Sequence, residues 1–427
     1  MKNFYIHTMG CKSNQFEGTL IAENLIKHGM QQVQNIEEAD YFILNSCSVT
    51  HKSDNEAMYL LRNAKRKNFS IITVLTGCIA QIEQEKLLEN EFINVIVGND
   101  DKLDLFKILL SGEKCYISNI MALDEFHKVE LNDFTKTRAS LKIQDGCDNR
   151  CSYCIIPYAR GKSRSADIEY IIEQIKNLEA QGFKEVIFTG IHIGQWGKDI
   201  GLEFIDLLRA VEDRTQIARY RLGSLNPLEI TDELLNFLVK SKKFCPHFHL
   251  SLQSACDKTL RLMNRFYKVE DYLTLINKIN NLFDLPFLGS DIIAGFAGES
   301  EKDFDITKMN LESSGLTQIH TFPYSIRQGT VGATLNNQVS DLEKERRAKV
   351  IKEISKIKYK QFTEKNIGKV HEVLVEKRTD KNTGMLKGIT RNYLTVYLDT
   401  TNTMYLNTLQ SVRILHIENG KIYGVLQ

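Results

Sequence analysis

Three cysteines lie close together near the middle of the 427-residue chain, at Cys147, Cys151 and Cys154. They directly follow a β-rich apolar run, in a loop that Gly146 opens. A structural zinc site needs four tetrahedral ligands, and this loop holds no fourth cysteine or histidine. Three thiolates on a cubic iron–sulfur cluster leave one iron open to a chelating small molecule. The spacing therefore indicates a catalytic [4Fe-4S] cluster. The alternatives are a zinc site completed by a distant ligand and a chance group of buried thiols.

Three further cysteines, Cys11, Cys47 and Cys78, each follow a separate short apolar run in the first part of the chain. The carboxyl ends of parallel strands meet at one edge of a sheet, which is where such sheets bind ligands. Gly10 and Gly77 would let the backbone approach a bulky group closely. A single cysteine after a strand is usually a buried apolar residue. The repeated placement, together with the loop downstream, favours a second cluster held by these three thiols.

The elements that must position these cysteines form three parts. In the first part, β-rich runs at 4–8, 41–44, 71–75 and 95–97 alternate with helix-length stretches at 15–28, 53–67 and 81–91. This alternation predicts a parallel sheet with helices on its faces. Residues 113–134 lack clear periodicity and are interpreted as a linker.

The middle part repeats the strand-then-helix pattern six times. Its predicted strands are 141–144, 185–189, 219–223, 247–252, 289–294 and 318–322, separated by helical stretches at 167–181, 203–213, 231–240, 269–283 and 301–313. Six units are too few for a complete eight-unit barrel, so we predict a partial (βα)6 barrel, followed by a connecting helix at 340–363. The β-like runs at 370–375, 393–398, 411–416 and 422–425 predict a small antiparallel barrel.

The predicted fold class is therefore α/β, in three domains. They are an N-terminal parallel α/β domain at 1–112, a partial barrel with its connecting helix at 135–363 and a small β-barrel at 364–427, with the linker at 113–134.

The whole chain carries 55 Lys and Arg against 54 Asp and Glu, a net charge of +1. This balance excludes a strongly basic nucleic-acid coat protein. Split at the boundaries above, the net charge is −5 over residues 1–132 and +3 over each of 133–363 and 364–427. The chain shows no signal-peptide pattern and no apolar run of membrane-spanning length, so we expect a cytoplasmic protein with no membrane partner. In that reducing compartment, nine cysteines indicate metal binding or catalysis rather than disulfides.

Four stretches, together with the two cysteine sets, carry a resemblance to a known family. They are TMGCKSN at 8–14, TGIHIG at 189–194, DIIAGFAGE at 291–299 and PYSIRQGT at 323–330. With the three-part order, they resemble the radical S-adenosylmethionine methylthiotransferases over essentially the whole chain. The C-terminal part is similar to the RNA-binding TRAM domain of that family.

The resemblance implies two [4Fe-4S] clusters and the use of two S-adenosylmethionine molecules. Cys147, Cys151 and Cys154 would be the catalytic set, holding the cluster that cleaves S-adenosylmethionine to a radical. Cys11, Cys47 and Cys78 would hold the cluster that delivers sulfur. The implied cofactor-binding residues are Tyr153, Gly190, Gln253 and Asp291. Two departures from the family pattern, Ala255 and Cys256 in QSAC at 253–256 and Ala297 in GFAGE at 295–299, lie near that expected site.

Within the family, TRASLKIQDGC at 137–147, CIIPYARG at 154–161 and NSCSVT at 45–50 are similar to one branch. That branch methylthiolates C2 of N6-threonylcarbamoyladenosine at position 37 of tRNA, next to the anticodon. The nearest alternative is the branch that modifies N6-isopentenyladenosine. Less favoured are a methylthiotransferase acting on a ribosomal-protein aspartate and a non-enzymatic zinc RNA-binding protein. The expected partners are the tRNA anticodon stem-loop and a flavodoxin- or ferredoxin-like electron donor; the sulfur source is unknown.

Two weaker patterns concern substrate contact. Basic residues of the C-terminal part stand near two aromatic ones, which suits a looped RNA; these are Lys369, Lys377, Arg378, Lys381, Lys387 and Arg391, with Tyr393 and Tyr397. His247 and His249 alternate on a predicted strand and so share one face. They either touch substrate inside the barrel or are packing residues. Cys115, Cys245 and Cys256 are interpreted as ordinary thiols.

Overall fold

The computed structural model describes residues 1–48, 50–129 and 136–427. Val49 lies outside the described residues, and so do residues 130–135, of which 130–134 belong to the predicted linker. Residues 1–129 form a parallel sheet of six strands. In spatial order the strands are Gln31–Gln32, Asn3–Thr8, Tyr41–Ser46, Ile72–Gly77, Val95–Val97 and Cys115–Tyr116. The last strand lies within the segment predicted as a linker and pairs with Val95–Val97 at the sheet edge.

Helices cover both faces of this sheet, because successive strand residues point to opposite faces. Phe42 and Leu44 pack into one apolar cluster, and Ile43 packs into another. The helices are Lys12–Lys27, His51–Lys67, Cys78–Ile82, Gln84–Leu88 and Leu105–Ser111.

The middle part contains two parallel sheets, of three and four strands, that meet at the third of six strand positions. Its strands in order are Ala139–Lys142, Glu185–Thr189, the pair Arg219–Leu222 and Ser224–Leu225, His247–Leu250, Phe287–Ala294 and Gln318–Pro323. Gly223 separates the two halves of the third position. A small antiparallel pair, Gln144–Asp145 with Arg164–Ser165, stands beside the first strand.

The helices of this part enclose one large apolar core. They are Ile156–Arg160, Ile168–Ala180, Phe204–Arg214, Asp232–Lys240, Asp257–Leu262, Val269–Leu282, Glu301–Ser313, Val331–Thr334 and Asp341–Lys365. The last of these, predicted at 340–363, packs along the edge strand Gln318–Pro323 and leads into the C-terminal part.

The C-terminal part is a closed barrel of five strands. In order around the barrel they are Val370–Val375, Leu386–Thr390, Thr395–Leu398, Lys421–Leu426 and Leu409–Glu418. All neighbours are antiparallel except Thr395–Leu398 and Lys421–Leu426, which run parallel. The strand Leu386–Thr390 is absent from the sequence prediction, because Lys387 and Gly388 interrupt its apolar pattern. The predicted α/β architecture with its partial and small barrels is otherwise confirmed.

The small barrel sits against one end of the larger one through buried guanidinium groups. Arg219 donates to the carbonyl of Ile389 at 2.9 Å, and Arg221 donates to the carbonyls of Thr390 and Arg391 at 3.2 and 3.0 Å. Both arginines are fully buried. Since a buried cation needs such acceptors, the two barrels are joined at a fixed contact. Among the described residues, no helix combines the length and apolarity needed to cross a lipid bilayer.

Candidate active site

The first cysteine set lies on the loop between Gln144–Asp145 and the helix Ile156–Arg160. Gly146 has a φ of +71°, and a Cβ there would lie 1.8 Å from the carbonyl oxygen of Lys162, so only glycine fits. The Cys154 amide donates to the Cys151 carbonyl at 3.0 Å. Burial raises the pKa of Cys154 to about 12, and the nearby charges of Cys151 and Cys147 add to the rise. Thiolates crowded in this way favour binding to a cationic metal centre.

A histidine and a glutamate stand beside the first cysteine of this loop. His192 Nδ1 lies 3.5 Å from Cys147 Sγ, while its Nε2 contacts the carboxylate of Glu229. Burial alone would lower the pKa of His192, but the hydrogen bonds to Cys147 and Glu229 raise it to about 9. A Cβ on Gly194 would lie 1.8 Å from Glu229 Oε2, so this glycine makes room for the carboxylate. His192 lies in the stretch 189–194, but no local pattern in the sequence marks it as a site residue.

A buried arginine flanks the second cysteine. Nη1 of Arg265 lies 3.7 Å from Cys151 Sγ, and Nη2 donates to the carbonyl of Ser251 at 3.0 Å. Its Nε lies 3.1 Å from the hydroxyl of Tyr267. Arg265 therefore holds a positive charge against the thiol group in a defined orientation. Neither its sequence position nor its spacing from the cysteines signalled this contact.

The second cysteine set comes together at the carboxyl edge of the first sheet, as the topology predicts. A Cβ on Gly10 would lie 2.6 Å from Cys47 Cβ and 2.7 Å from its sulfur, so the two loops pack backbone to side chain. Cys78 begins a helix at the end of the neighbouring strand. Cys11 keeps solvent contact but is surrounded by protein, and this burial raises the pKa of its thiol; the charge of Arg160 opposes the rise and that of Cys78 adds to it.

Asn14 fixes the loops of this second set. Its Nδ2 donates to the carbonyls of Met9, Asn45 and Ser46 at 2.7, 3.2 and 3.0 Å. Its Oδ1 accepts from Arg160 Nη2 at 3.3 Å. One side chain thus ties the residues preceding Cys11 and Cys47 to an arginine of the middle part.

Arg160 belongs to a buried network of charges that joins the first sheet to the partial barrel. Glu17 accepts from Arg160 through both carboxylate oxygens, from Lys102 at 2.5 Å and from Lys142 at 2.7 Å. Lys142 also pairs with Asp145 at 2.7 Å. Burial would raise the pKa of Glu17, but the three cations hold it well below its usual value. The network keeps the Arg160 guanidinium beside Cys11 and Cys78.

The donor chemistry of both cysteine sets, three thiols each, is compatible with iron–sulfur clusters. Within the described residues, no group of three Cys, His, Asp or Glu side chains is placed to hold one metal ion. In the second set Gly10 packs against Cys47, and each set has an arginine near at least one of its thiols. This donor set suits a cubane bound by three cysteines.

A cavity of about 170 Å³ adjoins Cys154 and receives three of the four residues expected to bind cofactor, Tyr153, Gln253 and Asp291. Thr50, which follows the second cysteine set, lines the same cavity from the first sheet. The fourth expected residue, Gly190, lies instead against Gln144, whose carbonyl oxygen would be 2.8 Å from a Cβ there.

Gln253 forms the cavity wall in a strained conformation. Its φ is +70°, a region that residues other than glycine rarely adopt. Its backbone amide donates to the backbone carbonyl of Asp291 at 2.7 Å. Such strain is typical of ligand-binding positions. Ala255 and Ala297, which stand where the family pattern has glycine and proline, are both buried. Ala255 lacks a positive φ, so its position does not require glycine.

A single five-residue helix, Ile156–Arg160, connects the two cysteine sets. It begins two residues after Cys154 and ends at Arg160, and it packs against the helix that Cys78 begins. At about 1.5 Å rise per residue, this helix is only roughly 7.5 Å long. The two loops that carry Cys78 and Cys154 therefore lie near each other, at the contact between the first sheet and the partial barrel.

The two histidines of strand His247–Leu250 have different surroundings. His249 Nε2 pairs with Asp291 at 2.9 Å beside the cavity, and the His249 and His320 rings lie 5.5 Å apart. His247 is buried, and its ring lies 4.3 Å from that of Tyr393.

The basic and aromatic residues of the C-terminal part do not form one surface. Arg391 and Tyr393 lie in the contact between the two barrels, and Lys377 stands over the ring of Phe183 at 4.3 Å. Tyr397 remains on the outer face, next to Tyr423 at 5.8 Å. Two further residues complete that face: the ring of His416 stacks on Tyr423 at 5.1 Å, and Lys421 Nζ lies 4.9 Å from the centre of the Tyr397 ring.

Comparison with known sequences gives two family matches. The profile of "Uncharacterized protein family UPF0004" matches residues 3–98, and that of the "Radical SAM superfamily" matches residues 141–308. The first match spans Cys11, Cys47 and Cys78, and the second spans Cys147, Cys151 and Cys154.

Several curated proteins are similar over most of the chain. The "Threonylcarbamoyladenosine tRNA methylthiotransferase MtaB" of Aquifex aeolicus is 37% identical, covering 86% of this chain and 91% of its own. The protein of the same name from Bacillus subtilis is 32% identical, covering 97% and 94%. A "tRNA-2-methylthio-N(6)-dimethylallyladenosine synthase" of Clostridium botulinum is 33% identical, covering 91% and 89%.

Among solved structures, the radical S-adenosylmethionine methyltransferase TsrM from Kitasatospora setae shares the fold. Its TM-score is 0.57 at 12% sequence identity, covering 78% of this chain and 77% of that one.

Proposed function

The chain belongs to the radical S-adenosylmethionine methylthiotransferase family, and we propose that it transfers a methylthio group to C2 of N6-threonylcarbamoyladenosine at position 37 of tRNA. Enzymes of this class use S-adenosylmethionine and [4Fe-4S] clusters. The observation that carries the choice of substrate is the 37% identity to the Aquifex aeolicus enzyme over 91% of its length.

The cysteine geometry supports a division of labour between two clusters. In this proposal Cys147, Cys151 and Cys154 hold the catalytic cluster, and Cys11, Cys47 and Cys78 hold the cluster that delivers sulfur. When bound, the first cluster and S-adenosylmethionine supply one-electron radical chemistry able to remove hydrogen from an unreactive carbon. The short distance spanned by Ile156–Arg160 supports this pairing, since a carbon activated at one site must reach sulfur at the other.

The residues lining the cavity beside Cys154 orient the cofactor in this proposal. Tyr153 offers a ring, Gln253 an amide and Asp291 a carboxylate, and His249 holds the Asp291 side chain at 2.9 Å. Gly190 acts more indirectly, because it allows Gln144 to pack closely and accept from the amides of Ile191 and His192. The apolar surroundings, such as Ile293 and Phe322, exclude water from the reacting atoms.

The domain division and partners follow from the same proposal. Residues 1–112 carry the sulfur-delivering site, 135–363 the radical site and 364–427 an RNA-binding barrel. The linker 113–134 joins the first two and adds its strand Cys115–Tyr116 to the edge of the first sheet. The outer face built by Tyr397, Tyr423, His416 and Lys421 supports RNA contact, because unpaired bases stack on such rings. The enzyme acts in the cytoplasm, with a flavodoxin- or ferredoxin-like electron donor.

The test is mass spectrometry of tRNA nucleosides from cells that lack this protein. We expect the methylthio-threonylcarbamoyl nucleoside alone to disappear, and to return with the wild-type gene but not with a Cys151→Ala gene. Disappearance of the methylthio-isopentenyl nucleoside instead would assign this chain to the activity named for the Clostridium botulinum relative.

A further inference from the structure

The interior of the larger barrel contains a buried carboxylate shared by two guanidinium groups. Glu185, Arg219 and Arg221 are fully buried on neighbouring strands. Glu185 Oε2 lies 2.7 Å from Arg219 Nε, and its Oε1 lies 3.2 Å from Arg221 Nε. The remaining donors of both arginines reach carbonyl oxygens of the small barrel. Arg219 Nε and Glu185 Oε2 form an ion pair without hydrogen-bond geometry, whereas Arg221 Nε donates a hydrogen bond to Glu185 Oε1.

Two further cations enter the same region without a carboxylate of their own. Arg138 Nη1 lies 3.7 Å from Glu185 Oε1, beyond hydrogen-bond distance, and is buried with no hydrogen-bond acceptor among the described residues. The charge of Lys12 acts on Arg138, Arg221 and Glu185, yet within the described part of the chain its ammonium group forms no ion pair. The interior therefore carries more positive than negative charge.

Two neutral groups with hydrogen-bonding capacity face these cations. The ring of Tyr393 lies 4.9 Å from the Arg221 guanidinium and 5.9 Å from that of Arg138. Burial would raise the pKa of the Tyr393 phenol, but the charges of Lys12, Arg138 and Arg221 lower it. His247 is only 5% exposed, and its Nδ1 has no hydrogen-bond partner in the described ranges. The Tyr393 hydroxyl is hydrogen-bonded to Arg138, but the buried Nδ1 of His247 and Nη1 of Arg138 have no partner among the described residues. Unpaired buried groups are unfavourable unless a ligand completes them.

The cluster extends from the sulfur-delivering site into the barrel. Lys12 directly follows Cys11, and Ser13 Oγ lies 3.4 Å from Thr189 Oγ1 at the end of the strand that Glu185 begins. Over four residue steps that strand spans about 13 Å. A group bound between Lys12 and Arg138 would thus lie deeper in the barrel than the cysteines.

We propose that Lys12, Arg138 and Tyr393, with His247, form a carboxylate-binding site for the threonyl group of the substrate. This inference rests on the proposed function. The N6-threonylcarbamoyl group ends in a carboxylate and a hydroxyl, whereas an isopentenyl group is entirely hydrocarbon. The carboxylate receives charge-assisted hydrogen bonds from Arg138 and Lys12. A hydrocarbon would leave the same donors dehydrated and unpaired, so the site also rejects the alternative substrate.

The test compares two stem-loop RNAs that differ only in this charge. One carries N6-threonylcarbamoyladenosine at position 37, and the other carries its methyl ester. Binding to the anaerobic holoenzyme is measured by fluorescence anisotropy without reductant, so that no turnover occurs. For the wild-type protein we expect the acid to bind more tightly than the ester by roughly tenfold to a hundredfold. Contacts to the rest of the RNA contribute equally to both Kd values, so their contribution cancels in the ratio.

Substitutions then show which side chains cause the preference for the acid over the ester. Arg138→Gln and Lys12→Met should each bring the ratio toward one, Arg138→Lys should restore part of it, and Tyr393→Phe should reduce it less. Arg214→Gln and Lys86→Met make the same charge changes on the outside and should leave the ratio unchanged. Iron content and circular dichroism verify that each variant is folded and loaded.

Equal binding of acid and ester by the wild type would overturn the proposal without any variant. So would an unchanged ratio in both Arg138→Gln and Lys12→Met. If wild type still methylthiolates the threonylcarbamoyl RNA in those cases, only the carboxylate site is wrong. If it modifies only isopentenyl RNA, the proposed function is wrong as well.

Discussion

The two cysteine sets, each proposed to hold a cluster, are positioned by different kinds of structure. Cys147, Cys151 and Cys154 come from one loop, whose shape depends on Gly146. Cys11, Cys47 and Cys78 each follow a different strand. They lie at one edge of the sheet because those three strands are parallel and adjacent. A local set can form as soon as its loop forms, whereas a distributed set requires the completed sheet.

The sets also differ in how their arginines are held. Arg265, beside Cys151, is oriented by a carbonyl and a hydroxyl of its own domain. Arg160, beside Cys11 and Cys78, comes from a different part of the chain and is held by Glu17. The environment of the distributed set thus depends on assembly between domains, and that of the local set does not.

The largest expected effects are on catalysis, where a change in each cysteine set should stop a different step. Cys151→Ala should lower release of 5′-deoxyadenosine and formation of the methylthio product by more than about a hundredfold, since the open iron site requires all three thiolates. Cys47→Ala should stop thiolation to the same degree while release continues. Both are measured by chromatography of single reactions, with Cys115→Ala as the control. If Cys151→Ala still released 5′-deoxyadenosine, the local set would not hold the cluster that cleaves S-adenosylmethionine.

The next effect concerns stability. Glu17→Gln leaves Lys102, Lys142 and Arg160 without their shared buried counter-ion, and breaking such a network should lower the free energy of unfolding by about 3–5 kcal/mol. Denaturant unfolding followed by circular dichroism measures it. Glu169→Gln, which breaks an exposed pair with Arg214, should change stability by less than about 1 kcal/mol. Similar losses in the two variants would mean that the network does not hold the domains together.

A smaller effect appears on acidification. The pKa of Glu17 is held below its ordinary value of 4.5 in the folded protein, so its contribution is complete above that pH and is lost as the pH falls toward the folded value. The stability difference between wild type and Glu17→Gln should therefore be constant from pH 8 to 6 and narrow below about 4.5. A difference that stays constant on acidification would show that Glu17 has no depressed pKa.

The smallest effect is on reduction potentials. Removing a cation beside a thiolate-bound cluster lowers its potential, because the reduced form is the more negative one. Arg265→Met should lower the potential of one cluster and Arg160→Met that of the other, each leaving its neighbour unchanged. Redox titration followed by electron paramagnetic resonance measures both. Equal shifts of both clusters in one variant would indicate a change in structure rather than a local charge effect.

How far the sequence predicts this molecule depends on the distance between interacting residues. Strand and helix positions follow from local periodicity, and the strand at 370–375 is reproduced to the residue. Contacts between residues far apart in the chain leave no local pattern, so Arg160, Arg265 and Arg138 were not recognised from sequence. Tyr393 illustrates the limit. Strand alternation over 393–398 places it on the same face as Tyr397, but the strand begins at Thr395, and Tyr393 turns inward with a φ of +70°.

The fixed seat of the small barrel on Arg219 and Arg221 has a consequence for the encounter with tRNA. If the small barrel swung away, two guanidinium groups would lose the backbone acceptors that now satisfy them, so hinge motion at this contact is opposed. In the proposed function, a nucleic acid bound to the outer aromatic face would therefore have to change its own shape to bring one base into the larger barrel. The entropy lost on recognition then falls on the RNA loop, and stem-loops already bent toward the bound form should associate fastest.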